Sequence, residues 1–188
     1  MSSKAELRHS LRRHRQALSY EFRVSASLNI VNKLSKLPFF KEYQQIAVYL
    51  SNDNEVDVCP LFSIYAEKNY YLPMLTPSKQ LLFSAYHLGD ELQENHLGIL
   101  EPKQPQLWAP ENLDLVCVPL VGFDPQGHRL GMGGGYYDRT FAFKKEQESA
   151  GPFLLGIAYE CQKVTLLPHV DWDIPLNGIL TEQNYYPG

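Results

Sequence analysis

The run Leu113-Asp114-Leu115-Val116-Cys117-Val118-Pro119-Leu120-Val121 constrains the fold more than any other stretch, because it is apolar without alternation. Such a run suits a strand buried on both faces, as in the interior of a sheet covered on each side by helices. Gly122-Phe123-Asp124-Pro125-Gln126-Gly127-His128-Arg129-Leu130 follows, then Gly131-Met132-Gly133-Gly134-Gly135 and Tyr136-Tyr137-Asp138-Arg139. Strand, glycine loop and helix in that order predict a cradle for phosphate. Glycines reach backbone angles closed to other residues, and their N–H groups converge on an anion at a helix N-terminus.

Glycine clusters also make plain turns, and this one is neither a P-loop, since no Lys-Ser or Lys-Thr follows, nor a strict G-x-G-x-x-G. What favours phosphate is the chemistry around it. Arg129 and Arg139 bracket the glycines, and Asp138 offers a carboxylate that can hold Mg²⁺ beside phosphate oxygens.

The chain of 188 residues is long enough for one domain with a substantial core. A net charge of -4 argues against a general nucleic-acid binder. No apolar stretch approaches the roughly 20 residues of a membrane span. Cys59, Cys117 and Cys161 lack metal-ligand spacing and read as buried small hydrophobes in a reducing compartment. Without a signal-peptide hydrophobic region, the expected location is cytoplasmic.

Ser3-Lys4-Ala5-Glu6 is a capping box opening a helix to about Leu18, with Leu7, Leu11 and Leu18 on one face and Lys4, Arg8, Arg12 and Arg15 on another. The distal arginines read as a solvated face, whereas Lys4 and Arg8, one turn apart, can reach a polyanion together. A second helix is expected from Tyr20 to Leu37, stopped by Pro38. A short strand at 46–50 leads into Ser51-Asn52-Asp53-Asn54-Glu55, which places Glu55 at a strand's carboxyl end, where ligands sit in open α/β sheets, although loop carboxylates are more often caps.

A helix is predicted from Asp57 to Lys68. Strands at 70–75 and 81–86 should form a hairpin about Thr76-Pro77-Ser78-Lys79. The proline-rich segment 94–111 reads as irregular, with Trp108 either in a heterocycle pocket or plugging the core. Beyond the glycine loop, a helix from Tyr136 to about Ser149, a strand at 153–159 and a last strand at 178–181 complete a three-layer α/β/α single domain with a mostly parallel central sheet.

The glycine loop with Tyr136-Tyr137-Asp138-Arg139, the Val118-to-Asp124 run, Lys4 and Arg8 in the first helix, Leu50 through Glu55, Asn95 to Pro102 and the Asp173-to-Glu182 ending together resemble the 5-formyltetrahydrofolate cyclo-ligases, or 5,10-methenyltetrahydrofolate synthetases. The resemblance spans nearly the whole chain. It implies a one-carbon folate enzyme with ATP as co-substrate, Mg²⁺ as cofactor, 5-formyltetrahydrofolate as the other substrate, no nucleic-acid or membrane partner, and a monomeric form.

It further implies ATP contacts from Lys4, Ala5, Glu6, Leu7 and Arg8, from Arg129, and from Gly131, Met132, Gly133, Gly134, Gly135, Tyr136, Tyr137, Asp138 and Arg139, with Arg139 and Tyr137 as catalytic residues. Leu50 and Glu55 would contact folate, and Asp138 the metal. The family's Asp-x-x-x-Asp here reads Asp173-Ile174-Pro175-Leu176-Asn177, which leaves the second metal ligand open between Asp173 and Asn177. A binding-only nucleotide or phosphosugar sensor, or an RNA-binding module using the first helix, would be the competing classes.

Overall fold

The computed structural model describes residues 3–146 and 150–188. The capping box forms as expected: Ser3 Oγ accepts the Glu6 N–H at 3.2 Å and Glu6 Oε2 accepts the Ser3 N–H at 2.7 Å, opening helix α1, Lys4–Gln16. Ser19 caps α2, Tyr20–Leu34, through the Phe22 N–H. This helix buries Ala26, Ile30, Val31 and Leu34 while Val24 and Leu28 of the same apolar pattern stay exposed. Pro38 opens a separate turn of 3-10 helix, Pro38–Lys41, that seats Phe40 in the core.

An eight-stranded sheet organises the rest. Its parallel centre consists of β1 (Gln45–Ala47), β2 (Asn69–Leu75), β7 (Leu115–Pro119), β10 (Phe153–Ile157) and β11 (Gly178–Leu180), in the spatial order β11-β10-β7-β1-β2. Antiparallel strands finish both edges: β3 (Leu81–Tyr86) then β6 (Leu107–Trp108) beyond β2, and β12 (Tyr185–Pro187) beyond β11. The expected layered α/β sheet, parallel through its middle, is therefore present.

The unalternating run has a direct explanation in β7. Leu115 and Cys117 pack into the cluster built with α2, while Val116 and Val118 point the other way into a cluster with Phe141, Ile174 and Leu176. Successive side chains of a strand alternate between faces, so two cores demand apolar residues at every position. Asp114, the charge in the run, accepts the Gln44 and Gln45 N–H groups at 2.7 and 2.8 Å and so ties the start of β7 to β1.

Several expectations change. The helix from Asp57 shrinks to one turn, α3, Leu61–Ile64, because Pro60 disfavours helical angles at Cys59, and Val56 and Val58 are drawn into the core in extended form. The segment 94–111 is regular in part. There β4 (Leu92–Glu94) and β5 (Leu100–Pro102) form a hairpin, docked on β2 by Glu101 Oε1, which accepts the Leu75 N–H and the Asn95 side-chain amide at 2.7 Å each.

Helix α4 spans only Tyr136–Thr140. The chain breaks at Phe141, which is fully buried, and continues as a 3-10 turn, Ala142–Lys145; Ser149 lies outside the described residues. Finally, β11 is not the last strand, since β12 returns beside it. Of the cysteines, Cys117 is buried as expected, but Cys59 is half-buried and Cys161 exposed. Among the described residues, no helix is long and apolar enough to cross a membrane.

A small hairpin, β8 (Gly122–Phe123) with β9 (Arg129–Leu130), carries the chain from β7 to the glycine loop. Buried Asp124 sets its turn by accepting the N–H groups of Gln126, His128 and Leu167 at 3.1, 3.2 and 2.9 Å. On the far side of the loop, Thr140 Oγ1 accepts the Leu81 N–H at 2.7 Å and donates to the Tyr136 carbonyl, locking α4 to β3. Replacing Thr140 by Val, similar in shape, leaves the buried Leu81 N–H unpaired and should cost ~1–3 kcal/mol. Urea unfolding should show a lower midpoint at unchanged slope.

Candidate active site

Strand β1 is followed by β2 on one side in the sheet and by β7 on the other, so the strand order reverses beside β1. Open α/β sheets bind ligands outside the carboxyl ends at such a point. A cavity of about 1040 Å³ lies there, walled by Tyr49, Leu50 and Glu55 beyond β1, by Pro73 and Leu75 of β2, and by Pro119, Leu120 and Val121 at the end of β7. Its far wall is the glycine loop and α4, and α1 closes one side with Lys4, Arg8 and Arg15.

The loop's shape follows from its residues. Gly133 and Gly135 stand at φ 99° and 70°, angles that favour glycine. A side chain at Gly135 would put its Cβ 2.7 Å from Arg139 Nη1. Among the described residues, the N–H groups of Met132, Gly133, Gly134 and Gly135 have no acceptor within the chain, which leaves a short run of free donors on residues that border the cavity. Because α4 has only five residues, an anion placed here would be held more by local N–H groups and cations than by an extended helix dipole.

Cations are held in place around this row. Arg8 Nε donates to the Gly131 carbonyl at 2.8 Å, and Arg139 Nη1 to the Gly134 carbonyl at 2.7 Å. Each guanidinium is thus fixed by one bond with further N–H groups to offer. Arg129 is more committed: Nη2 donates to Asp138 Oδ1 at 2.6 Å and Nη1 to the Ile174 carbonyl. It works as a brace between α4 and the segment after Trp172. Lys4 Nζ lies 3.2 Å from Asp173 Oδ2, which also accepts the Val170 N–H at 3.1 Å.

Asp138 and Asp173 both border the cavity, and the Ile174 N–H, next to Asp173, donates to Asp138 Oδ1 at 3.1 Å. Two carboxylates beside a phosphate cradle match the way Mg²⁺ is held, by one or two carboxylates with the rest of its shell from phosphates and water. No group of three or more His, Cys, Asp or Glu residues stands ready for a metal among the described residues, so no protein-only cage competes with that arrangement. Asn177 is elsewhere: its side-chain oxygen accepts the Leu154 N–H at 2.8 Å at the opposite end of β10.

Glu55 occupies the other half of the cavity. Burial raises its carboxyl above the ordinary value, against the opposing pull of Arg15. Its Oε2 accepts the Asn52 N–H at 3.2 Å, and Arg15 Nη1 stands 3.7 Å from Oε1. Tyr136 and Tyr137 both border the cavity. The Tyr137 hydroxyl is driven up by burial and then by the Glu55 charge, so it stays protonated and able to donate.

Most residues expected from the sequence converge here: Lys4, Arg8, Leu50, Glu55, Arg129, Gly131 through Arg139 and Asp173 all line one cavity. Ala5, Glu6 and Leu7 do not. Ala5 is exposed, Glu6 turns back into the capping box, and Leu7 packs near Leu11 and Val121. Trp108 neither lines the cavity nor plugs the core. Half-exposed on β6, it lies over Tyr71 with ring centroids 5.4 Å apart.

Sequence reasoning missed Arg15, Leu97, Ile99, Lys145 and Trp172. It set Arg15 on a solvated face, yet this side chain is 1% exposed and donates to the Leu120 carbonyl and to Asp53. The signal was present in the spacing, since Leu7, Leu11 and Arg15 recur every four residues and share the buried stripe.

Comparison with known proteins gives the family. A model of the 5-formyltetrahydrofolate cyclo-ligase family matches residues 1–182. The 5-formyltetrahydrofolate cyclo-ligase of Escherichia coli K12 is 38% identical over 91% of this chain and 96% of its own, and that of Haemophilus influenzae 37% over 93% and 95%. The solution structure of Aquifex aeolicus 5,10-methenyltetrahydrofolate synthetase superposes with a TM-score of 0.84 at 34% identity, covering 98% of this chain and 92% of that one. The Mycoplasma pneumoniae synthetase gives 0.75 at 27% identity, over 96% and 99%. With the match running almost end to end and the cradle, α1 cations and Glu55 in one cavity, this chain belongs to the 5-formyltetrahydrofolate cyclo-ligase family.

Proposed function

We propose that this chain converts 5-formyltetrahydrofolate to 5,10-methenyltetrahydrofolate at the expense of ATP, releasing ADP and phosphate. The observation that carries this reading is the sharing of one cavity by two unlike subsites, a donor-rich loop with Lys4, Arg8 and Arg139, and a buried carboxylate at Glu55. Phosphate recognition needs the first, and a flat heterocycle with N–H groups suits the second.

The chemical obstacle is the formamide, whose carbon is a weak electrophile and whose oxygen leaves poorly. Transfer of the γ-phosphoryl group to the formyl oxygen breaks its bond to ADP and makes that oxygen part of a phosphate ester. N10 then attacks the formyl carbon and loses its proton, and phosphate departs with the C–O electron pair, leaving the methenyl bridge. Such transfer depends on positioning and on neutralising charge around the phosphates.

In this reading Lys4, Arg8 and the N–H groups of Met132 to Gly135 hold the triphosphate, and Arg139 offsets charge on the transferring group. Tyr137, kept protonated by its surroundings, donates toward the reacting oxygen. Glu55 accepts the pterin's N–H groups while Leu50 packs against the ring. Asp138 and Asp173 would hold Mg²⁺, which would neutralise phosphate charge when bound; Asn177 is left out because its oxygen is committed to β10.

Purified protein given 5-formyltetrahydrofolate, ATP and Mg²⁺ should develop the near-ultraviolet absorbance of the methenyl product. Absence of any ATP-dependent signal, with nucleotide still bound, would favour a binding-only protein.

Glu55→Gln should raise the KM for 5-formyltetrahydrofolate ~10–100-fold, the equivalent of ~1.5–3 kcal/mol for charged hydrogen bonds, with the ATP KM little changed. The raised Glu55 carboxyl also fixes the direction of the pH response. The anion is the acceptor, so folate affinity should fall as pH drops through a value above the ordinary 4.5, and Glu55→Gln should abolish that limb.

Gly135→Val, strained at φ 70° by ~1–2 kcal/mol and directed at Arg139, should weaken ATP about tenfold in a nucleotide titration.

A further inference from the structure

The loop carrying Glu55 is held in a costly shape. Asp53 and Asn54, neither of them glycine, stand consecutively in the left-handed region at φ 48° and 59°. Two such residues in succession persist only where their surroundings over-determine them. Within the turn the Glu55 N–H donates to the Asn52 carbonyl at 2.9 Å and the Asp53 N–H to Asn52 Oδ1 at 2.7 Å, and two helices supply the remaining restraints. On Asp53, Arg12 Nε and Arg15 Nη2 converge on Oδ2 at 2.8 and 2.7 Å and Gln16 Nε2 reaches Oδ1 at 2.5 Å, all from α1; on Asn54, Arg23 Nη1 of α2 reaches Oδ1 at 2.7 Å.

This places two carboxylates around one buried guanidinium. Arg15 Nη2 is 2.7 Å from Asp53, whereas Nη1 is 3.7 Å from Glu55, beyond a hydrogen bond. Nothing else holds Arg15 firmly. Its bond to the Leu120 carbonyl is 3.4 Å long, and its Nε has no hydrogen-bond partner among the described residues. Without Asp53, the remaining attraction on this guanidinium is Glu55.

We infer that Asp53 is a positioning residue for the folate subsite: by engaging Arg15 it keeps that guanidinium at 3.7 Å from Glu55, an ion pair without a hydrogen bond, so that the Glu55 carboxylate stays available to the substrate. This rests on the reading of Glu55 as the pterin-binding carboxylate. The condition of Asp53 agrees with the role. Burial would raise its carboxyl, but hydrogen bonds from Arg12, Gln16 and Arg15 hold it at about 2, so it is charged throughout the neutral range.

Asp53→Asn is the informative change, because Asn tolerates left-handed angles and keeps the shape while losing the charge. Arg15 should then close on Glu55 to hydrogen-bond distance, and the Kd for 5-formyltetrahydrofolate should rise about tenfold with that for ATP within twofold. The acidic limb of folate binding should also move to lower pH, because Glu55 gains a hydrogen bond from the Arg15 cation and loses a neighbouring anion. The groups facing Glu55 are Arg12 and Arg15 of α1, Asp53 of its own loop, Tyr49 beyond β1 and Tyr137 of α4.

Adding Arg15→Met to Asp53→Asn removes the competing cation and should restore most of the folate affinity. The Leu120 carbonyl retains its 2.6 Å bond from Gln162 Nε2 in that variant. An unchanged folate Kd in Asp53→Asn, equal losses for ATP and folate, or weakened folate binding with an undisplaced limb would each overturn the inference. Should the double variant not fold, the direction of the limb in Asp53→Asn decides alone. If Glu55→Gln leaves folate binding of the otherwise wild-type protein untouched, the assignment of the subsite fails with it, a result read without any change at Asp53.

Discussion

A guanidinium removed from water has to be answered by the chain around it, and the answer to Arg15 determines how α1 meets the sheet. At 1% exposure, Arg15 can stay charged only beside carboxylates and carbonyls, and it finds them in Asp53, Glu55 and Leu120, that is, at the carboxyl ends of β1 and β7. Those bonds fix the C-terminal half of α1 against the crevice. A rigid helix then carries its N-terminal half to the glycine loop, where Arg8 binds the Gly131 carbonyl and Lys4 reaches Asp173. One helix thereby sets the distance between the glycine-loop donors and the Glu55 carboxylate. Breaking a buried charge pair at one end is costly, so that distance is well defended.

The sheet supplies the rest of the geometry. Because β7 is buried on both faces and β1 is only three residues long, the chain must leave each strand early, and both exits open on the same crevice. After β7 the small β8–β9 hairpin turns the chain about Asp124 and delivers the glycines opposite the residues beyond β1. Thr140 and Arg129 then anchor α4 to β3 and to the segment ending at Ile174. Rigid elements therefore border the loop on both sides, which suits a reaction that depends on holding two substrates in line.

What the sequence made legible depended on how local the cause was. The capping box, the β2–β3 hairpin and the apolar run of β7 are set by neighbouring residues and appear where expected. Pro60 is a local signal too, since it disfavours helical angles at Cys59 and so a helix running on from Asp57. The end of α4 was not local: Phe141 leaves the helix to pack beside Phe83 of the distant strand β3, with Phe143 of the following turn at its edge. In the site, the glycines and Glu55 were found through motif and position, whereas Trp172, Leu97 and Ile99 come from loops whose approach to the cavity only the packing determines. Arg15 lay between these cases, with its spacing apolar in pattern and its side chain charged in kind.

Glu55 and its loop show what the fold gives up for the site. A carboxyl raised by burial is most favourable to the folded state when protonated, and that contribution is lost as pH rises through its elevated value. At neutral pH the fold therefore carries the cost of an ionised, half-satisfied carboxylate, next to two consecutive left-handed residues that also oppose folding. A chain selected only for stability would have a hydrophobic residue at 55 and a glycine at 53. Neither relief is compatible with a carboxylate offered into a cavity and a second one restraining its cation. The side chains that hold the loop, Arg12, Arg15, Gln16 and Arg23 on α1 and α2, supply the compensation for that arrangement, from helices that also contribute to the core.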